Sequence, residues 1–182
     1  MKKIFTFLAF ALILSGCSLG EDMSNTPTKK VEEYLNNYQT LDSNVLTKLD
    51  AIVENEEMFD GDQKITYRDI LKKHYQDLTY TIKNETINGD KATVEVEIEV
   101  TDYTKALKKA ESYKETNETE FLDDNENFDE TKFNTYKLDL IRESKDRVKY
   151  TIYFSLTKEN DKWILDDLTE AEEEKILGIY EY

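Results

Sequence analysis

The sequence predicts an α+β domain with helices packed on one face of a curved antiparallel sheet. Three observations predict it. Apolar residues recur at helical spacing through the first third of the chain, and from Leu78 they switch to strict alternation. Turn residues at Asn88-Gly89-Asp90 and Glu159-Asn160-Asp161 then fold the alternating runs into two hairpins.

The first helix opens at Thr26-Pro27, where Thr26 can cap and Pro27 loses no needed hydrogen bond. Val31, Tyr34, Leu35 and Tyr38 follow as one apolar stripe. A second helix starts near Ser43 and carries Val45, Leu46, Leu49, Ile52 and Val53 on its face. An acidic turn from Glu54 to Asp62 separates it from a third, whose start is read at Thr66 and Asp69, a pair with capping-box spacing. Tyr67, Ile70, Leu71, His74, Tyr75 and Leu78 form its stripe. In the first hairpin Ala92, Val94, Val96, Ile98 and Val100 alternate with Thr93, Glu95, Glu97, Glu99 and Thr101, so only one face of that strand can meet a core. In the second, Val148, Tyr150, Ile152, Phe154 and Leu156 alternate with polar neighbours and lead through the turn to Trp163 and Leu165. A tail helix is expected from Thr169, boxed by Glu172 and ended by Gly178. Residues 104–146, between the hairpins, read as a helical insertion: two helices joined by an acidic loop.

The N-terminus is a targeting segment. Met1-Lys2-Lys3 is a positive n-region, and Ile4 to Leu14 is uncharged and apolar. That run falls short of the roughly 20 apolar residues a spanning helix needs. It ends in Leu14-Ser15-Gly16-Cys17, which resembles the lipobox of bacterial lipoprotein signal peptides. The resemblance implies cleavage before Cys17, a diacylglyceryl thioether on its sulfur, and a domain held on the outer side of the cell membrane. The plainer alternative is a free thiol after an ordinary signal. Two acyl chains anchor stably where one does not. Residues 1–16 are then signal peptide, 17–25 the lipidated cysteine and a polar tether, and 26–182 a single domain. With the chain's one cysteine consumed, core packing alone must hold the fold. Removing residues 1–16 takes away Lys2 and Lys3 and no acid, moving the formal charge from −16 to −18. Such a surface repels phosphate backbones, which excludes nucleic acid as a partner.

Three helices followed by antiparallel strands, with "TPTKKVEEYLNNYQTLD", "NGDKATVEVEIEV" and "ENDKWILDDL" as local signatures, resemble the nuclear transport factor 2-like (cystatin-like) cone. The 104–146 insertion departs from that pattern. The resemblance implies helices and a curved sheet around a pocket that serves as an enzyme site, a ligand site or a packed core, so side chains must choose.

His74, the only histidine, can be a general acid or base facing that pocket, or a core residue at the helix–sheet seam with one hydrogen bond. Tyr67 and Tyr75 flank it as candidate pocket hydroxyls, although tyrosine is abundant throughout. Asp123, Asn125, Asn127 and Asp129 alternate like the first half of a calcium loop. The match fails at Phe128, where glycine is needed, and at Asn134, where a bidentate glutamate is needed, leaving a solvated loop. Asn84 and Asn117 fit the glycosylation acceptor pattern by chance. No nucleophile elbow, phosphate-cradling loop or paired histidines occur, and no cofactor or metal is implied. Two functions stay open: a non-catalytic lipoprotein domain that binds a small ligand, an envelope polymer or a surface protein, and a cone-pocket hydro-lyase or isomerase using His74 as acid/base.

Overall fold

A computed structural model describes residues 25–181. The signal segment, Cys17 and the tether up to residue 24 lie outside the described residues. The described part is α+β, with six α-helices and one four-stranded antiparallel sheet of order β1-β2-β3-β4.

Helix α1 (Pro27–Thr40) begins as its sequence dictates, with the Thr26 side chain accepting from Lys29 N and Pro27 in the first turn. Its stripe of Val31, Leu35 and Tyr38 is buried. Asp42 caps α2 (Ser43–Glu54). Helix α3 (Gly61–Gln76) starts more than a turn before the expected Thr66. The true box is Asp60 and Gln63, each side chain bonding the other's backbone. Thr66 is instead interior to the helix and donates its hydroxyl back to Asp62 O at 3.0 Å.

Strands β1 (Thr79–Asn88) and β2 (Lys91–Thr101) form the first hairpin, whose turn places Gly89 at φ 61°. Strands β3 (Arg147–Glu159) and β4 (Lys162–Leu165) form the second. Asn160 and Asp161 both have positive φ, the geometry that suits the right-handed twist of a two-residue hairpin. Val94, Val96, Ile98 and Val100 of β2 and Ile152, Phe154 and Leu156 of β3 face the helices and are essentially sealed. They pack with α1, α2 and α3 residues, Trp163 and Ile176 as one core. The other sheet face is not covered and carries Lys83, Glu97, Glu99 and Lys149 in a ladder of ion pairs. After a bulge at Ile82/Asn84, the rest of β1 is exposed. There Glu85 takes the backbone N–H (2.9 Å) and hydroxyl (2.7 Å) of Thr28 at the start of α1, a favourable place for an anion.

The 104–146 segment is helical, as expected, with α4 (Thr104–Thr116) and α5 (Glu130–Glu143). Their connection is folded: it holds a 3-10 turn (Glu118–Phe121) and a bridge between Leu122 and Phe128. The insertion packs on α3 through Ile70, Leu138 and Ile141 and makes a second small cluster of Ala110, Phe121 and Phe133. Helix α6 (Glu170–Leu177) has the expected Thr169/Glu172 box and ends on Gly178 at φ 71°.

Asn25 fixes one end of the domain. Its amide nitrogen donates to Asp161 O (2.7 Å) and its amide oxygen accepts from Trp163 N (3.0 Å), tying the chain to the β3–β4 turn. The insertion leaves the sheet from the opposite ends of β2 and β3. An 11-residue strand such as β2 spans about 35 Å between those ends.

Candidate functional site

The sequence placed three candidates on one helix, and the helix separates them. His74 and Tyr75 are neighbours, so the helical rotation sends them to different surroundings. Tyr75 meets Tyr38 edge-on, with centroids 4.8 Å apart, and lines an apolar cavity of about 310 Å³ with Ile52, Ile176 and Leu177. Tyr67 packs edge-on against Phe59 at 5.4 Å, and burial pushes its phenol up to about 12. The Tyr75 ring stays 6.0 Å from that of His74, and Tyr67 packs in the cluster that holds Tyr103, but neither lines the cavity beside His74.

His74 sits where α3, α6 and the end of β2 converge. It is 1% exposed. Its Nε2 lies 2.7 Å from Ile176 O, and since a carbonyl only accepts, Nε2 carries the proton. Nδ1 is therefore a bare acceptor, buried and without a partner. The Tyr103 ring lies 4.8 Å away at a 34° tilt. Gly178 closes the junction: a Cβ there would stand 2.1 Å from Thr101 O and 3.1 Å from His74 Cε1, and its carbonyl accepts from Tyr103 N at 2.9 Å. Burial is the main cause that lowers the His74 pKa to about 4, against the opposing hydrogen bond to Ile176. The imidazole is neutral at pH 7.

His74 forms part of the wall of a cavity of about 360 Å³ between α3 and the end of the insertion. Ile65, Thr66, Asp69, Ile70, Lys73 and Asp77 contribute from α3, Thr101 and Tyr103 from the strand end, and Arg142 and Ser144 from the end of α5. Most of its polar groups are already matched. Lys73 pairs with Asp77, and Arg142 with Asp139. The Ser144 hydroxyl donates to Asp102 O at 3.1 Å. Arg147 donates to Asp77 O (2.9 Å) and Glu99 O (2.6 Å), joining the end of α3 to the sheet. Asp69 is exposed on the surface of α3 beside Arg68, whose guanidinium bonds Asp50 at 2.6 Å and also feels the Asp69 charge.

Sequence reading missed Thr101, Tyr103, Arg142 and Ser144, which lie at element ends where periodicity stops. It singled out Asp69 only as a cap. A clue was present in Tyr103, a large aromatic just beyond a strand that had alternated without a break.

The acidic loop is self-contained. Asp123 Oδ1 accepts the backbone N–H groups of Asn125 (2.8 Å) and Asn127 (2.9 Å), which holds the carboxyl below its usual range. Asp129 caps α5, and Asn134 is buried with its amide on Met58 O at 3.0 Å. Among the described residues no group of three or more His, Cys, Asp or Glu is placed to hold a metal ion.

Residues 1–18 match the family model of the prokaryotic membrane lipoprotein lipid attachment site. That match supports a bacterial lipoprotein. The chain is thus associated with a membrane through lipid, and among the described residues no helix is long and apolar enough to cross one. No curated protein and no solved structure matches the chain.

Proposed function

We propose that this lipoprotein is a non-catalytic binding domain, anchored through Cys17 on the extracytoplasmic side of the membrane, and that it takes its ligand in the cavity between α3 and the insertion. The cavity itself carries the reading: about 360 Å³ of space, in which Ile65, Ile70 and Tyr103 stand among polar and charged side chains, is of the size of a small-ligand site. Its position supports it, since Asn25 ties the anchored end to the β3–β4 turn and the cavity opens at the far end of the sheet. A ligand there comes from the envelope space, free or carried on a polymer, rather than from the bilayer. Elsewhere between the helices and the sheet, aromatic and aliphatic side chains pack as one core.

The alternative, a hydro-lyase or isomerase with His74 as acid/base, draws on the unpartnered Nδ1 beside the same cavity. It fares worse on proton affinity. A group with a pKa of about 4 is almost never protonated at neutral pH and is a weak base there.

Two experiments test the reading. Radioactive fatty acid should label the wild-type protein, and Cys17→Ser should lose both label and membrane retention. Identical processing and release of the variant would contradict the anchor. For the site, a library of small envelope-derived compounds should yield a ligand whose binding survives His74→Asn without chemical conversion. Conversion by the wild type and not by His74→Asn would establish the catalytic reading instead.

A further inference from the structure

The cavity of about 310 Å³ beside Tyr75 is built by helices alone, away from the insertion. Tyr38 comes to it from α1, Ile52 from α2, Tyr75 from α3, and Ile176 and Leu177 from α6. Tyr38, Tyr75 and Ile176 are buried and make its inner wall, whereas Lys48, Ala51 and Glu173 are exposed and make its rim. The Tyr38 hydroxyl is engaged with that of Tyr34 at 3.0 Å. The Tyr75 hydroxyl is not engaged. Tyr75 is only 3% exposed, yet its O–H makes no hydrogen bond among the described residues. A buried tyrosine ordinarily finds a partner for that group. Among the described residues, the side-chain atoms that are both sealed and unpaired are His74 Nδ1 and Thr104 Oγ1. The Tyr75 oxygen is not one of them, so it is open to the cavity that its ring lines.

We infer that this cavity is a second binding site, for a compact neutral molecule with an apolar body and one acceptor oxygen. The oxygen accepts from the Tyr75 hydroxyl, and the body lies against Ile52, Ile176 and Leu177. Burial raises the Tyr75 phenol above its ordinary value, so at neutral pH the group keeps its O–H to donate. No charged side chain stands on the inner wall. A charge carried there would lose its hydration and gain no buried counter-charge. The two rim charges, Lys48 and Glu173, are opposite in sign and select neither an anion nor a cation. The volume lies at the small end of the roughly 300–1,000 Å³ of ligand pockets, which makes the body compact.

The test uses the mature lipidated protein in phosphatidylcholine nanodiscs, with protein-free nanodiscs to fix the free concentration of each probe. Four probes share one ring: cyclohexanone, its isostere methylenecyclohexane, cyclohexylammonium and cyclohexanecarboxylate. The methyl signals of Ile52 and Ile176 report this cavity, and those of Ile65 and Ile70 report the α3–insertion cavity. Both neutral probes should move Ile52 and Ile176 saturably and leave Ile65 and Ile70 still, with both charged probes roughly tenfold weaker or more. Tyr75→Phe should weaken cyclohexanone about fivefold, the worth of one neutral hydrogen bond, and should not weaken methylenecyclohexane. Ala51→Trp, which crowds the rim from an exposed position, should abolish binding of both. Charged probes as strong as cyclohexanone at Ile52 and Ile176 overturn the neutral class. Equal effects of Tyr75→Phe on the two neutral probes overturn the role of the hydroxyl. Silence of Ile52 and Ile176 with every probe, or full binding by Ala51→Trp, overturns the site, and the α3–insertion reading stands or falls separately on Ile65 and Ile70.

Discussion

The sheet-and-helix body and the 104–146 insertion are stabilised in different ways. The body has one continuous core, in which β2 and β3 place every second residue at near-zero exposure against the helices. The insertion has two small clusters, and polar bonds fasten it to the body. Gln63 at the start of α3 donates to Thr131 O (2.8 Å) and Thr135 Oγ1 (3.0 Å), and Asn134 donates to Met58 O. Buried amides of this kind fix a position, because leaving one carbonyl or amide dry and unpaired costs more than the bond is worth in water. The body therefore supplies stability, and the insertion supplies a placed surface. The cavity lies where the two meet, with α3 as the shared wall.

That division can be broken at points of decreasing severity. Phe154→Ala in the body should cost about 3–5 kcal/mol, as large-to-small changes in a sealed core do. Urea denaturation should show it as one cooperative shift. Gly178→Ala should come next, at about 3 kcal/mol, since a methyl group cannot coexist with Thr101 O at 2.1 Å and alanine resists φ 71°. That change should also disturb the His74 junction and the cavity. The effect of pH on His74 reaches a similar size only at the acid end of its range. Its folded pKa of about 4 lies below the ordinary value of 6.5, so between those values the unfolded chain binds the proton and the folded one does not. Stability is full above pH 6.5 and falls as pH drops toward 4, by up to about 3 kcal/mol. The difference between wild type and His74→Leu, measured by denaturation across pH 4–7, isolates this contribution from the carboxylates.

Asn134→Ala should cost about 1–2 kcal/mol by leaving Met58 O unpaired. Unlike the body variants, it should loosen the insertion before the whole domain, seen as faster hydrogen exchange in α4 and α5 alone. Asp123→Ala should be the mildest, because the bonds it removes are in an exposed loop.

The same contrast explains what could be read from the sequence. Alternation in β2 and β3 and the stripe of α1 were legible because one face of each meets a single core, and the boxes at Thr169 and the stop at Gly178 follow from local chemistry. The start of α3 was misplaced because Thr66-x-x-Asp69 imitates a cap that Asp60 and Gln63 actually make. The site was mostly illegible. Which way His74 faces depends on α6, whose Ile176 carbonyl comes from a hundred residues away. One wall of the cavity is a face of α3 at helical spacing, but the rest comes from the ends of β2 and α5, which only the tertiary packing brings beside it. Asn134, singled out only for failing a calcium pattern, proved to be a buried link between insertion and body.

The claim that the junction between α3 and the insertion is the binding site is tested most directly by methyl-resolved NMR during ligand titration. The account predicts shifts at Ile65 and Ile70, with Ile152 in the body core and Ile52 beside the Tyr75 cavity unmoved. Shifts centred on Ile52 and Ile176, with Ile65 and Ile70 silent, would place the ligand in the other cavity and contradict the account.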